Sequence, residues 1–123
     1  DVLLPSLEDA TALTGLRDTE AITEYYLKLG AKLVVLKQGA NGVRVADGKY
    51  SRHIPGHNVK TIDATGAGDT FDGAFLSEWL RLGDPFLAAE YANAAAAIST
   101  TQYGAVDSIP NRSSVTAFLG RKL

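Results

Sequence analysis

The chain has 123 residues, of which 46 % are hydrophobic and 21 % are charged, a balance typical of one globular domain or of a piece of a larger one. The formal net charge of −2 excludes a general attraction to nucleic acid or to anionic membranes. Cysteine is absent, which excludes disulfides and thiolate metal sites and is compatible with a reducing, cytoplasmic location.

The beginning of the chain reads as the middle of an α/β protein. Residues 2–4 form an apolar run that predicts a buried strand almost at once after Asp1, so we expect further residues N-terminal to this point. Ser6, followed three residues later by Asp9, resembles a capping box and predicts a short helix over residues 7 to about 13 that ends at Gly15. No apolar stretch is long enough to span a bilayer, and no signal peptide opens the chain.

A second helix and a second strand follow. Asp18 or Thr19 caps the helix, and Gly30 stops it. The apolar face of this helix is predicted to consist of Ile22, Tyr25, Tyr26 and Leu29. Residues 32–37 are rich in β-branched side chains and predict a strand. The order strand, helices, strand predicts two parallel strands joined by a right-handed crossover.

The middle of the chain predicts an antiparallel section beside the parallel strands. Residues 39–42 form a turn, and the Asn41-Gly42 pair is a strong hairpin signal. Residues 43–46 alternate like a half-buried strand, and residues 50–54 form the return strand after a turn at Asp47-Gly48. Residues 59–62 are expected to approach the following glycine-rich run as an extended segment.

The C-terminal half has helical periodicity. A helix is predicted from about Gly66 with its apolar face at Phe71, Phe75, Trp79 and Leu82. Gly83 ends this helix, and Asp84-Pro85 begins the next, which covers residues 86–99 and is thin because its second half is rich in alanine. Residues 102–110 are predicted to form a loop and residues 113–119 a final short helix.

The glycine-rich run at residues 63–70, DATGAGDT, joins an extended segment to an amphipathic helix. Its glycines let the backbone turn tightly, and the first amides of a helix lack intrahelical partners, so the run predicts an anion site. A carboxylate inside such a site is informative. Asp69 is explained if it accepts the proton of a hydroxyl that attacks a phosphoryl group, while the Ala67 and Gly68 amides stabilise the phosphoryl oxygens. The alternative is a simple turn followed by a first-turn carboxylate.

The longer run at residues 63–75, DATGAGDTFDGAF, closely resembles the C-terminal signature of the ribokinase-like (PfkB) carbohydrate kinases. Residues 33–42 resemble the nucleotide-site strand and turn of that family, and residues 91–110 resemble its adenine-side helix and loop. Family members are considerably longer. The resemblance therefore implies that residues 1–123 are the C-terminal nucleotide-binding and catalytic part of a ribokinase-like domain, without the N-terminal sugar-binding part and lid.

The resemblance implies an α/β fold with a partly parallel sheet, flanking helices and an antiparallel hairpin section. It also implies ATP-dependent phosphorylation of a hydroxyl on a sugar or sugar acid, with Mg²⁺ and in some members K⁺ as cofactors. The expected partners are the sugar substrate and, in the full-length protein, a second copy, with no nucleic acid or membrane. Two alternatives stay open: a nucleoside or vitamin-precursor kinase of the same fold, and a nucleotide-binding piece without activity of its own.

The resemblance also assigns roles to individual residues. Asp69 matches the catalytic base, and Gly66, Ala67 and Gly68 match the anion hole. The residues that match nucleotide-binding positions, with Lys37 able to reach a phosphate, are Lys37, Gly39, Gly42 and Asn93. For Lys37 the alternative is a solvated residue at a strand end, and for Asn93 it is a residue on the helix surface.

Metal positions are implied at two places. Asp63 and Thr65, with Gly104 and Ser108, match a monovalent-cation site, although Asp63 could simply cap the loop. Glu8 matches the acid that helps to place Mg²⁺, and the alternative is a helix first-turn carboxylate. Pro5 replaces the Asn that is usual before this acid. The run LPSLE at residues 4–8, together with Lys37, instead resembles the 2-keto-3-deoxygluconate kinase branch.

Overall fold

A computed structural model describes residues 1–101 and 110–122, and the chain divides into two units, Asp1–Gly56 and His57–Leu123. The first unit contains β1 (Val2–Leu3), α1 (Leu7–Thr14), α2 (Thr19–Lys28), β2 (Leu33–Lys37), β3 (Val43–Asp47) and β4 (Ser51–Ile54). The second unit contains α3 (Ala67–Leu82), α4 (Pro85–Ser99) and α5 (Arg112–Lys122). The predicted α/β class is therefore confirmed, with every strand of the described residues in the first unit.

The sheet of the first unit has the strand order β1-β2-β3-β4. β1 and β2 are parallel, with Val2 opposite Leu33, whereas β2, β3 and β4 are antiparallel neighbours. β2 is buried along Leu33–Leu36, as a strand must be when its side chains are apolar on both faces. The predicted parallel pair followed by an antiparallel meander is therefore confirmed.

Local capping signals define the helices of the first unit. The Ser6 side chain accepts a hydrogen bond from the Asp9 amide, and Asp18, rather than Thr19, caps α2 by accepting from the Ala21 amide. Gly15 ends α1 in the left-handed conformation at φ 75°. These caps satisfy helix-end groups that would otherwise be unpaired, and they confirm both predicted helices.

The predicted apolar face of α2 is wrong at its C-terminal end. Ile22 and Tyr26 are buried and pack with Val34 and Leu36 of β2, but Leu29 is 70 % exposed. Leu29 still has a right-handed helical backbone, and its amide donates to the Tyr25 carbonyl oxygen at 3.2 Å, so the helical period reaches it, but its side chain lies outside the cluster that contains Ile22 and Tyr26. Tyr25 is also exposed at 39 %, since it lies at the edge of the buried stripe.

The second unit is a helical layer in which α3 packs against α4 and α4 against α5. Phe71 and Phe75 of α3 are buried with parallel rings 6.3 Å apart. α4 presents a surface of buried small side chains, namely Ala88, Ala89, Ala92, Ala94 and Ala95. Small side chains allow neighbouring backbones to approach closely, so the alanine-rich helix has the packing role expected of it.

Two features of α3 differ from the prediction. Leu82, expected on the apolar face, is 41 % exposed at the last residue of the helix, whereas the charged Glu78 has no exposed surface. Asp84 caps α4 as expected, with Pro85 at the first helical position. Within residues 1–101 and 110–122, no helix has both the length and the apolar character needed to cross a membrane.

Candidate active site

The junction between the glycine-rich run and α3 is formed by a left-handed residue. Gly66 has φ 77°, a conformation that glycine adopts without the steric cost borne by other residues. This turn brings the Ala67 amide to the Ala64 carbonyl oxygen at 3.2 Å and lets Thr70 donate the first helical hydrogen bond to Gly66, at 2.9 Å. Gly66 therefore marks a sharp boundary between the loop and α3.

Two amides at this helix start have no acceptor in the part of the chain that the structure describes. Among the described residues, no side chain caps α3, and neither the Gly68 nor the Asp69 amide donates to a protein group. Gly68 is exposed, and a Cβ built on it would meet nothing within 4 Å. Unpaired amides together with the positive end of the helix dipole make a site for an anion.

An exposed carboxylate lies in the same turn of helix. Asp69 is the third residue of α3 and its side chain is accessible to solvent. Electrostatics favour an acidic residue at a helix start, but the same carboxylate opposes the binding of an anion beside it. A carboxylate next to amide donors can accept a proton from a nucleophile while the donors stabilise the charge on the group under attack.

The loop that precedes α3 is anchored to the end of α4. The amides of Ile62 and Asp63 both donate to the Thr100 carbonyl oxygen, at 2.7 and 3.0 Å. Asp63 then accepts the Thr65 amide on Oδ1 at 2.9 Å. The Asp63 carboxylate therefore holds the loop in shape, in agreement with the alternative that Asp63 caps the loop. The carboxylate oxygens of Asp63 and the hydroxyl oxygen of Thr65 are also of the type that binds alkali cations.

The remaining predictions for the second unit have different outcomes. Asn93 is 7 % exposed, which excludes the interpretation that it is a helix-surface residue. The predicted cation ligands Gly104 and Ser108 lie outside the described residues.

In the first unit, the predicted nucleotide glycines belong to the connection between β2 and β3. Residues Gly39–Asn41 form one 3₁₀ turn, and Gly42 follows with φ 97°. The Gln38 amide donates to the Gly42 carbonyl oxygen at 2.8 Å and closes the turn. Gly39 has φ 59° and open space around it, because a Cβ there would meet nothing within 4 Å.

Position 42 must be glycine because a neighbouring backbone segment lies against it. The sequence analysis did not predict this contact. A Cβ at Gly42 would overlap the Ile54 carbonyl oxygen, and a Cβ at Gly56 would overlap the Ala40 carbonyl oxygen. His53 adds a further contact, since its Nε2 lies 3.0 Å from the Asn41 carbonyl oxygen and must donate a proton to it. The Pro55-Gly56 pair was the only sequence signal of this close approach.

Lys37 and Glu8 lie at one end of the sheet. The Lys37 amide donates to the Pro5 carbonyl oxygen at 2.9 Å, and Ser6 pairs with Lys37 as a parallel bridge. This brings the start of α1 beside the end of β2, and the Glu8 carboxylate is exposed in the first turn of α1.

Metal-binding groups are sparse in this unit. No cluster of three His, Asp or Glu side chains able to hold a metal occurs among the residues described. The exposed Glu8 carboxylate suits a Mg²⁺ ion that takes most of its other ligands from phosphates and water.

Comparisons with known proteins identify the family of the chain. A profile described as pfkB family carbohydrate kinase matches residues 1–112. A ribokinase of Haemophilus influenzae is 38 % identical over 125 residues, which cover 97 % of this chain and 40 % of the relative. A 2-dehydro-3-deoxygluconokinase of Bacillus subtilis is 32 % identical over 120 residues, covering 97 % of this chain and 37 % of the relative.

A solved structure agrees with the sequence matches. Arabidopsis thaliana ribokinase, complexed with ribose and ATP, superposes with a TM-score of 0.87 at 31 % identity, covering 97 % of this chain and 40 % of that structure. The chain thus spans about two fifths of the length of the relatives it matches. Because a ribokinase and a 2-dehydro-3-deoxygluconokinase both match, similarity does not single out one sugar.

Proposed function

The chain belongs to the pfkB family of carbohydrate kinases, and from that premise we propose that its protein transfers the γ-phosphoryl group of ATP to a hydroxyl of a sugar or sugar acid. The family and the ribokinase-like fold expected from residues 63–75 are confirmed. One observation carries the proposed activity. α3 begins with two amides, at Gly68 and Asp69, that donate to no group among the described residues, and the exposed Asp69 carboxylate lies next to them.

Asp69 is the proposed general base. Phosphoryl transfer depends mainly on positioning and on stabilisation of charge, so one carboxylate near the acceptor hydroxyl is sufficient for the proton transfer. Asp69 accepts the hydroxyl proton as the oxygen attacks the phosphorus atom and the bond to ADP breaks. A carboxylate at the start of α3 is solvent-exposed in the protein alone, where a substrate can reach it.

Gly66, Ala67 and Gly68 form the proposed anion hole. The Gly68 amide is the best placed donor, since the Ala67 amide already contacts the Ala64 carbonyl oxygen at 3.2 Å. Donors that are fixed before the reaction stabilise charge on the phosphoryl oxygens without reorganising. Gly66 acts through the backbone, because its left-handed φ of 77° starts the helix at this point.

Nucleotide and ion contacts complete the proposal. Lys37, Gly39, Gly42 and Asn93 are the proposed nucleotide-binding residues. Glu8 would hold Mg²⁺, and Asp63 and Thr65, with Gly104 and Ser108, would supply oxygens to K⁺. When bound, these ions neutralise negative charge on the phosphates.

The acceptor is the least constrained part of the proposal. The run LPSLE at residues 4–8 and Lys37 favour a sugar acid such as 2-keto-3-deoxygluconate, whereas ribose and fructose are the neutral alternatives. We also propose that residues 1–123 are the C-terminal part of the kinase domain and that sugar selection lies largely outside them.

The test is the Asp69→Asn variant of the complete protein, assayed for ATP-dependent phosphorylation of a panel that includes 2-keto-3-deoxygluconate, ribose and fructose. We expect kcat to fall about 10²–10⁴-fold, because the amide cannot accept the proton, while binding of ATP is retained. Asp72→Asn is the matched control, since it neutralises a carboxylate one turn further along α3 and should keep kcat within about twofold.

Two results would reject the proposal. One is a wild-type protein that phosphorylates no sugar, sugar acid or nucleoside in the panel. The other is an Asp69→Asn variant with the wild-type kcat.

A further inference from the structure

Glu78 is a charged residue buried in the helical layer that α3, α4 and α5 form. Its carboxylate accepts a hydrogen bond from Arg112 on one oxygen and from Arg81 on the other. Apolar side chains of similar volume can often replace a buried ion pair with no loss of stability, so stability by itself does not explain a charge at this position. The other role of such a pair is to fix one relative position of the segments that it joins.

The packing of α5 on α4 fixes the position of α5 only weakly. Val115 of α5 is fully buried and packs with Ala94 and Ala95 of α4. Alanine side chains are short and apolar contact is non-directional, so these contacts stabilise the pair of helices without strongly preferring one position along them. The ion pair of Arg112 with Glu78 is directional. It therefore determines where the first turn of α5 lies on α3.

The same turn of α5 forms one wall of a cavity. The cavity has a volume of about 520 Å³ and lies between α5 and the end of α4. Its lining combines apolar side chains with hydroxyl and amide groups, among them Ile98, Thr101, Asn111, Ser113, Ser114 and Phe118. Asn111 also caps α5, since its Oδ1 accepts the Ser114 amide at 2.8 Å. Arg112 stands between Asn111 and Ser113 in the chain, so the place at which Arg112 is held sets the place of this wall.

We propose that Glu78 is a positioning residue for nucleotide binding, which acts through Arg112 by holding the α5 wall of this cavity where bound ATP requires it. This role rests on the proposed kinase function. Of the two substrates of that reaction, ATP has the flat apolar ring that a cavity of mixed lining and this size suits, whereas a sugar presents mostly hydroxyl groups. Glu78 itself does not touch ATP, because its side chain has no exposed surface.

The main test compares Arg112→Gln with Arg81→Gln in the complete protein, with kcat and both KM values measured below the unfolding midpoint of each variant. The two arginines are matched, because both pair with the Glu78 carboxylate and their side chains are 50 % and 56 % exposed. Only Arg112 lies on a different helix from Glu78. Arg112→Gln should raise the KM for ATP about fivefold or more, because the displaced wall loses contacts that are each worth about a hydrogen bond. Arg81→Gln should leave that KM within about twofold.

Three further variants test whether Glu78 acts through Arg112. Arg112→Lys keeps a positive charge beside the carboxylate and should restore most of the affinity for ATP. Glu78→Gln should raise the KM for ATP about as much as Arg112→Gln, with kcat and the KM for the sugar within about twofold. The double variant should exceed neither single variant, because both substitutions break the same contact. If Arg112→Gln is unfolded at the assay temperature, Glu78→Gln, which should lose less stability, carries the same test.

The outcomes distinguish this role of Glu78 from the proposed kinase function. A rise in the KM for ATP that is confined to Arg112→Gln and Glu78→Gln would support the positioning role. A wild-type protein that uses ATP would overturn the positioning role alone if Arg81→Gln and Arg112→Gln had equal effects, if folded Arg112→Gln kept the wild-type KM for ATP, or if kcat and both KM values changed together. A wild-type protein that neither binds nor uses ATP would overturn both.

Discussion

Glu78 and Arg112 form an ion pair that joins the middle of α3 to the first residue of α5. The Glu78 side chain is 1 % exposed, whereas that of Arg112 is 50 % exposed. Arg81, one turn further along α3, donates from Nε to the second carboxylate oxygen at 2.9 Å. The Arg112 guanidinium also lies over the Tyr91 ring of α4, 5.3 Å from its centroid. The Glu78 carboxylate therefore joins α3 to α5, and its partner Arg112 extends the contact to α4.

The two partners of this pair should differ in their contribution to stability. Arg112→Ala leaves a buried charge with only Arg81 to neutralise it, so the free energy of unfolding should fall by about 2 kcal/mol, less than the ~3–5 kcal/mol of a pair left with no other partner. Glu78→Gln leaves two half-exposed arginines that water can solvate, and should cost about 1 kcal/mol. Urea unfolding of the complete protein measures both values.

Arg17→Ala is the control for that comparison, because Arg17 is an exposed arginine of the first unit and should have little effect. A second readout is specific to the contact. Burial raises the pKa of Tyr91, and Arg112 acts against this rise, so Arg112→Ala should raise the pKa of Tyr91 further in an ultraviolet titration. Equal losses of stability for Arg112→Ala and Glu78→Gln would contradict the asymmetry.

Gly68→Ala should raise the stability of the protein and lower its activity. Gly68 is helical, and an added Cβ meets nothing within 4 Å, so alanine should stabilise α3 by up to about 1 kcal/mol. The same methyl group would occupy the open space in front of the unpaired amides and obstruct a phosphoryl group there. We therefore expect a higher unfolding midpoint together with at least a tenfold loss of kcat/KM for the sugar.

Gly120→Ala is the matched control for Gly68→Ala. Gly120 is also a helical glycine with no atom within 4 Å of an added Cβ, but it lies in α5. It should raise stability by a similar amount and leave kcat/KM unchanged. Full activity in a stabilised Gly68→Ala variant would argue against an anion site at this helix start.

Gly56→Ala tests whether the turn at residues 39–42 needs its close backbone neighbour. The new methyl group would overlap the Ala40 carbonyl oxygen, so the turn must shift, at a cost of about 1–3 kcal/mol. Because the shifted segment contains the proposed nucleotide glycines, the KM for ATP should rise several-fold more than the KM for the sugar. Gly48→Ala, in the β3–β4 hairpin with open space around it, should change neither. An equal effect of the two substitutions on the KM for ATP would contradict this view of Gly56.

Much of the fold could be predicted because its signals are local. Ser6, Asp18 and Asp84 cap helices within three residues of themselves, and the alternation of residues 43–46 is readable without knowing the partner strand. The glycine-rich run at residues 63–70 likewise contains within itself the left-handed residue, the helix start and the carboxylate. The prediction of an anion site therefore rests on these eight residues alone.

Other features depend on residues that are distant in the sequence, and only the tertiary structure decided them. Nothing local marks Glu78 as buried, because the Arg112 that pairs with it lies 34 residues further on. Gly56 reads as an ordinary turn glycine until the Ala40 carbonyl oxygen is placed against it. Local capping and periodicity follow from backbone geometry over a few residues, whereas burial of a charge and close backbone contact depend on which segments the completed fold brings together.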